Sequence, residues 1–112
     1  MKRIVILASG SGSLAQEIIS SDFSDIESEV VALICDKPGA QVLQRAEAAH
    51  IESYLIPMMA DRNQWNTELE TLIAALRPTL VVSAGFMRIL PATITTRFKI
   101  ITVKKIAVCK SN

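Results

Sequence analysis

The sequence has few of the residues that build metal centres and disulfide frameworks. Its 112 residues include two cysteines and one histidine. Cys35 lies in an apolar, strand-like run and Cys109 lies close to the last residue, a spacing typical of neither a disulfide framework nor a metal site. We expect both to be ordinary thiols, because free cysteine behaves as a small apolar residue, and we expect no bound metal.

Long hydrophobic runs are also missing. The apolar run Ile4–Ala8 stops at a turn of small residues, so it is too short for a signal peptide or a transmembrane span. Half of the residues are apolar and 21% are charged, which is typical of a soluble globular domain with a real core. We therefore expect one cytoplasmic domain.

The net charge of +1 is small but unevenly distributed. Residues 1–98 hold eight Lys/Arg against eleven Asp/Glu, a balance of −3, whereas residues 99–112 hold four lysines and no acid, a balance of +4. A basic tail can contact nucleic acid or anionic lipid, but this one has no arginine or aromatic residue to support such contacts. We predict a boundary at Phe98, followed by a divergent basic tail with a solvated end, and neither a nucleic-acid nor a membrane partner.

The most informative stretch at the start of the chain runs from Ile4 to Ser13. Its consecutive bulky apolar residues predict a strand buried on both faces, as in a parallel sheet. Gly10 and Gly12 follow, with serines around them, and the next residues have helical periodicity. Glycines there allow positive φ and close approach by a ligand, and free N–H groups at a helix start favour an anion. The turn is therefore suited to a phosphate.

The rest of the chain alternates strand and helix patterns. This alternation predicts an α/β fold, an open, doubly wound parallel sheet with strand order 3-2-1-4 and a candidate fifth strand in the tail. The predicted strands are Ile4–Ala8, Val30–Cys35, Ser53–Ile56, Leu80–Gly85 and Ile100–Val108. The predicted helices are Ser13–Ser21, Ala40–Ala49, Asn63–Leu76 and a short stretch within Pro91–Phe98, and a polar connection is predicted for Asp22–Glu29.

One interpretation of the turn is a nicotinamide-dinucleotide-binding half-domain. Residues 10–15 fit Gly-x-Gly-x-x-Gly/Ala between a strand and a helix, and Asp36 ends the second strand, where an acid that binds ribose is expected. The signal is weak, because any phosphate-binding unit of this kind needs small residues there for the same steric reasons.

The loop after the fourth strand indicates which kind of phosphate-containing ligand the turn binds. Residues 83–90 read Ser-Ala-Gly-Phe-Met-Arg-Ile-Leu and place an aromatic ring, a thioether and a guanidinium where loops usually bind ligand. This order closely resembles the phosphoribosylglycinamide formyltransferase family. The Ser9–Ser13 turn, Asp36-Lys37 and Asp61-Arg62 also resemble that family, in the right order and spacing. The resemblance covers residues 1 to about 98 and implies the N-terminal half of a Rossmann-like, formyltransferase-type fold whose C-terminal part is missing.

The resemblance implies transfer of a formyl group from 10-formyltetrahydrofolate, as co-substrate, to the amino group of glycinamide ribonucleotide in purine synthesis. Gly12, Ser13 and Leu14 would hold the phosphate, largely through backbone N–H groups, although Leu14 replaces the asparagine of most relatives. Arg62 would reach toward the folate. The residues that would line the pterin pocket are Met87, Arg88, Ile89 and Leu90. From the residues alone, ordinary core is the alternative for Met87, Ile89 and Leu90.

The family's Asn-x-His-Pro segment and later aspartate, which would stabilise the oxyanion and move protons, are not found in the 112 residues. His50 follows the second predicted helix, where a cation near the helix C-terminus is the ordinary explanation, so we predict no catalytic residue. We expect a truncated chain that is inactive alone and whose uncovered apolar surface favours self-association. A non-catalytic ribonucleotide-binding fragment is the alternative.

Overall fold

The computed structural model of the protein describes residues 2–103. Five strands form one parallel sheet in the order β3-β2-β1-β4-β5, which confirms the predicted fold class and strand order. The strands are β1 (Lys2–Ala8), β2 (Ser28–Cys35), β3 (Glu52–Leu55), β4 (Leu80–Ala84) and β5 (Ile100–Val103). The helices are α1 (Ser13–Ile19), α2 (Gln41–Ala48), α3 (Arg62–Leu76) and α4 (Ala92–Thr95).

The central strands of the sheet are buried on both faces because their alternate residues enter two separate apolar clusters. Along β1, Ile4, Ile6 and Ala8 pack on the side of α1 and α2, whereas Val5 and Leu7 pack with Trp65 and Ile73 of α3 on the other side. Side chains of a strand point alternately to its two faces. A continuous apolar run therefore fills both layers, as predicted for Ile4–Ala8.

The prediction of a polar connection at Asp22–Glu29 is wrong in two places. A short 3₁₀ helix spans Ser24–Ile26, and β2 begins at Ser28. Ser28 and Glu29 pair with the first two residues of β1, so pairing to a neighbouring strand, rather than apolar character, extends β2. The fifth strand is confirmed for Ile100–Val103, and residues 104–108 of that prediction lie outside the described residues.

An apolar groove opens beside β5 on the side of α1. Its volume is about 480 Å³. Ile101 of β5 stays 47% exposed, and within residues 2–103 the one strand that pairs with β5 is β4. A free strand edge next to apolar surface favours association, and self-association stays a prediction. Residues that line the groove include Ile4, Ile18, Phe23, Leu80, Val82 and Val103.

The end of α3 offers a direct test of backbone strain. Arg77 follows α3 with φ 53° and ψ 57°, a left-handed conformation that costs an ordinary residue about 1–2 kcal/mol. We expect Arg77→Gly to be more stable than Arg77→Ala by about 1 kcal/mol, because both remove the side chain and only glycine relieves the strain. Urea denaturation of the two variants measures the difference, and equal midpoints would contradict it.

Candidate functional site

Two loops meet at the carboxyl edge of the sheet because β1 and β4 are parallel neighbours. We call residues Ser9–Ser13 the glycine–serine loop and residues Phe86–Leu90 the folate loop, the second name referring only to the ligand that the family resemblance implies. The backbone N–H of Met87 donates a 2.8 Å hydrogen bond to Oγ of the buried Ser9. A cavity of about 270 Å³ opens at this junction. It is lined by residues 9–14, by Lys37, and by Ala84, Gly85 and Met87.

The glycine–serine loop is held by two residues of α2. The N–H of Val42 donates to the carbonyl of Gly10 at 3.3 Å, and Nε of Arg45 donates to the carbonyl of Ser11 at 2.7 Å. Gly12 has φ +81°, and a Cβ there would lie 2.3 Å from Cγ2 of Val42. Two features therefore require glycine at this position. One is the positive φ of its backbone, and the other is the close approach of α2, which leaves no room for a side chain.

These contacts determine where the loop's N–H groups point. In a trans peptide the carbonyl and the following N–H point in opposite directions. Because the carbonyls of Gly10 and Ser11 face α2, the N–H groups of Ser11 and Gly12 face away from it. The helix α1 begins directly afterwards, and Gly12 as its N-cap provides no side-chain hydrogen bond. The first N–H groups of a helix have no partner within it, so the loop presents donors suited to an anion.

Arg88 is fixed by an ion pair instead of pointing freely into the cavity. Its Nε lies 2.6 Å from Oδ2 of Asp36, whose side chain is 1% exposed. The second oxygen of Asp36 is buried and has no hydrogen-bond partner among the described residues. The carboxylate that could serve a dinucleotide ribose is thus occupied by the folate loop. Within residues 2–103, no group of three His, Cys, Asp or Glu side chains could hold a metal ion.

Arg62 and Trp65 support the folate loop from the start of α3. Nη2 of Arg62 donates to the carbonyl of Ile89 at 2.9 Å, and its guanidinium lies 5.4 Å from the ring centre of Trp65. Trp65 is fully buried, donates from Nε1 to the carbonyl of Ile56 at 3.1 Å, and stacks on Phe86 with 6.1 Å between ring centres. The helix start is itself fixed by Asp61, whose side chain accepts two backbone N–H groups.

The folate loop exposes apolar side chains. Met87 is 72% exposed and Ile89 is 83% exposed, so the alternative of ordinary core is wrong for these two residues. Leu90 is half-buried and packs against the cluster around Trp65, which fits that alternative. Large apolar side chains at the rim of a cavity are suited to the flat face of a ligand.

His50 and Cys35 are not among the residues that line the cavity between the two loops. His50 is exposed and sits just after α2 with φ 59°, where its N–H donates to the carbonyl of Glu47. Cys35 is a free, buried thiol, and burial raises the pKa of that thiol, so it is poorly reactive. The plain thiol at Cys35 is confirmed, the ordinary explanation of His50 stays a prediction, and Cys109 lies outside the described residues.

Sequence reasoning missed Arg45 and Val42, which shape the glycine–serine loop. It also named Lys37 only as part of a resemblance and gave it no role in the cavity. Helical periodicity placed Val42 on the apolar face of α2 but could not indicate its contact with Gly12. No local signal marks Arg45, because its partner Ser11 is 34 positions away.

Comparison with known proteins identifies the family. A family model described as formyl transferase matches residues 2–104. The chain belongs to the formyl transferase family. Among curated relatives, it is 40% identical over 96 residues to the trifunctional purine biosynthetic protein adenosine-3 of Drosophila melanogaster, covering 81% of this chain and 7% of that protein. It is 36% identical over 99 residues to a phosphoribosylglycinamide formyltransferase of Mycobacterium tuberculosis, covering 86% of this chain and 45% of the relative.

Solved structures of formyl transferase family members agree with the observed sheet. Glycinamide ribonucleotide transformylase 1 from Symbiobacterium toebii superposes with a TM-score of 0.82 at 28% identity, over 91% of this chain and 50% of that one. The phosphoribosylglycinamide formyltransferase of Coxiella burnetii superposes with a TM-score of 0.82 at 31% identity, over 90% of this chain and 50% of that one. The similarity to phosphoribosylglycinamide formyltransferases covers their N-terminal part, and the chain spans about half the length of these relatives. None of the helices within residues 2–103 has the length and apolar character that a membrane crossing requires.

Proposed function

We propose that the chain is the N-terminal part of a phosphoribosylglycinamide formyltransferase, which transfers a formyl group from 10-formyltetrahydrofolate to the amino group of glycinamide ribonucleotide. One observation carries the proposal. The hydrogen bond from Met87 to Ser9 joins the two family-like loops at one cavity. A phosphate held by one loop and a pterin held by the other would therefore lie side by side, as formyl transfer between two bound substrates requires.

Gly12, Ser13 and Leu14 hold the phosphate of the ribonucleotide in this proposal. The support is the arrangement of donors, since the loop turns N–H groups away from α2 at the point where α1 begins. Contact through the main chain makes the identity of the side chain at Leu14 secondary. The leucine in place of asparagine then removes at most one side-chain hydrogen bond.

The folate side of the site uses the folate loop and Arg62. Exposed Met87 and Ile89 provide apolar surface for the pterin, and the backbone edges of the loop provide hydrogen bonds. Arg62 acts through the carbonyl that it holds at Ile89, so it fixes the shape of the loop. Arg88 is held by Asp36 and contributes its backbone and its aliphatic stem. Leu90 anchors the loop to the core.

The 112-residue polypeptide, expressed alone, binds ribonucleotide without turnover in this proposal. The Asn-x-His-Pro segment that would supply the oxyanion and proton-moving groups is not found among its residues, and positioning without these groups forfeits most of the acceleration. We keep the division into residues 1–98 and a basic tail, 99–112, as part of the proposal, with β5 formed by the first part of that tail. No observation favours a nicotinamide site, since Asp36 is occupied by Arg88.

Calorimetric titration tests the proposed function. We expect glycinamide ribonucleotide to bind at least about tenfold more tightly than glycinamide riboside, which lacks the phosphate, because charge-assisted hydrogen bonds to the phosphate are lost. A formyl-transfer assay with 10-formyltetrahydrofolate on the same polypeptide should give no turnover above background. Binding of NADH, seen as a fluorescence change, in the absence of ribonucleotide binding would contradict the proposal.

A further inference from the structure

We infer that Lys37 provides the positive charge of the phosphate site and so makes the protein selective for a phosphorylated ribose derivative over its unphosphorylated form. The inference rests on the proposed function, whose ribonucleotide carries the phosphate, and it assigns a role to Lys37, to which the family resemblance gave none. The glycine–serine loop provides neutral N–H dipoles, which suit the shape of a phosphate. A dianion also requires a compensating charge, and a lysine ammonium is a common phosphate partner acting as a point charge.

Position is the first support for this role. Lys37 lies two residues after the end of β2 and lines the same cavity as the glycine–serine loop. Of the described residues that line this cavity, Lys37 is the only one with a charged side chain. An anion bound to the loop would therefore share its cavity with this ammonium.

The charge of Lys37 is free to meet a ligand. Its side chain is exposed, and the two ion pairs found within residues 2–103, Arg88 with Asp36 and Arg97 with Glu70, do not include it. The nearest acid in sequence, Asp36, is buried and engaged by Arg88. The ion pair that holds the folate loop thus also keeps the neighbouring carboxylate from neutralising Lys37.

The backbone from which this side chain extends is well fixed. The N–H of Lys37 donates to Sγ of Cys35 at 3.3 Å, and the thiol of Cys35 donates to the carbonyl of Lys37 at 3.4 Å. The N–H of Ala40 donates to the same carbonyl at 3.3 Å. Only the flexible side chain has to be ordered when the phosphate binds, which limits the entropic cost of the contact.

Titration of matched lysine variants tests this role. We expect Lys37→Gln to weaken glycinamide ribonucleotide binding by about tenfold, to leave the weak binding of glycinamide riboside unchanged, and to lower the salt dependence of ribonucleotide binding. Lys37→Arg, which keeps the charge, should retain most of the affinity. Lys99→Gln removes an equivalent charge from the apolar groove beside β5, away from the cavity, and should bind like the unmodified protein.

The outcomes separate this inference from the proposed function. Equal ribonucleotide affinity in Lys37→Gln and the unmodified protein, with the preference over riboside intact, would overturn the role of Lys37 and leave the proposed function standing. An unmodified protein that does not bind the ribonucleotide would overturn both. Because Lys37 is exposed, thermal unfolding of Lys37→Gln should match the unmodified protein, so a change in affinity reports on the contact.

Discussion

Gly12→Ala is expected to destabilise the protein by about 2–5 kcal/mol and to abolish ribonucleotide binding. This figure adds a left-handed backbone, which costs a residue with a Cβ about 1–2 kcal/mol, to overpacking, which costs about 1–3 kcal/mol. Here φ is +81° and the new Cβ would lie 2.3 Å from Cγ2 of Val42. The only relief is to move the loop away from α2, which turns its N–H groups out of position. Urea denaturation and calorimetric titration measure the two effects.

The neighbouring glycine is the matched control. A Cβ added at Gly10 would meet no heavy atom within 4 Å, and φ there is not positive, so Gly10→Ala should keep the stability that Gly12→Ala loses. Adding Val42→Ala to Gly12→Ala removes only the contact with Cγ2, because Cβ of residue 42 would still lie 2.6 Å from the new Cβ, so the double variant should recover only a small part of the stability. If the two glycine variants behave alike, the close approach of α2 does not govern the loop.

Arg88→Met is expected to cost about 3 kcal/mol of stability, because it leaves the carboxylate of Asp36 buried without its partner. The side chain of Asp36 is 1% exposed, and its other oxygen already lacks a hydrogen bond among the described residues. The folate loop should also loosen, so binding of 5-formyltetrahydrofolate, a stable relative of the co-substrate, should weaken. Urea denaturation midpoints of Arg88→Met and the unmodified protein measure the loss of stability, and titration of both with 5-formyltetrahydrofolate measures the loss of binding.

A second arginine on the same protein provides the control for this ion pair. Arg97 pairs with Glu70 at 2.9 Å, but both side chains are partly exposed, at 54% and 26%, so Arg97→Met should cost at most about 0.5 kcal/mol. Adding Asp36→Asn to Arg88→Met removes the unpaired charge and should recover much of the loss. An Arg88→Met variant as stable as Arg97→Met would show that the buried pair is not structurally important.

The strands and their order could be predicted because they depend on local patterns and a general topology. The apolar runs at Ile4–Ala8 and Leu80–Ala84 locate buried strands, and parallel packing brings the loops after them to one edge. The sequence could not reveal that β2 starts at Ser28, since this start depends on pairing with β1 and not on the polarity of the segment.

Residue types identified the two loops, but the partners that hold them could not be predicted. Arg88 was expected to line a ligand pocket, and its pairing with Asp36, 52 positions earlier, depends on the register of distant strands. The hydrogen bond from Arg62 to the carbonyl of Ile89 could not be predicted for the same reason, since the two residues are 27 positions apart. The pattern therefore predicted which segments meet at the cavity, whereas long-range contacts determine which partners each side chain has there.

Amide chemical-shift mapping tests most directly whether the glycine–serine loop holds a phosphate next to the folate loop. Titration of the ¹⁵N-labelled protein with glycinamide ribonucleotide should shift the amides of Ser11, Gly12, Ser13 and Leu14 most strongly. Glycinamide riboside at the same concentration should leave them near their starting positions, and 5-formyltetrahydrofolate should instead shift residues 86–90. Ribonucleotide-induced shifts confined to the apolar groove beside β5, with residues 11–14 unmoved, would contradict the account.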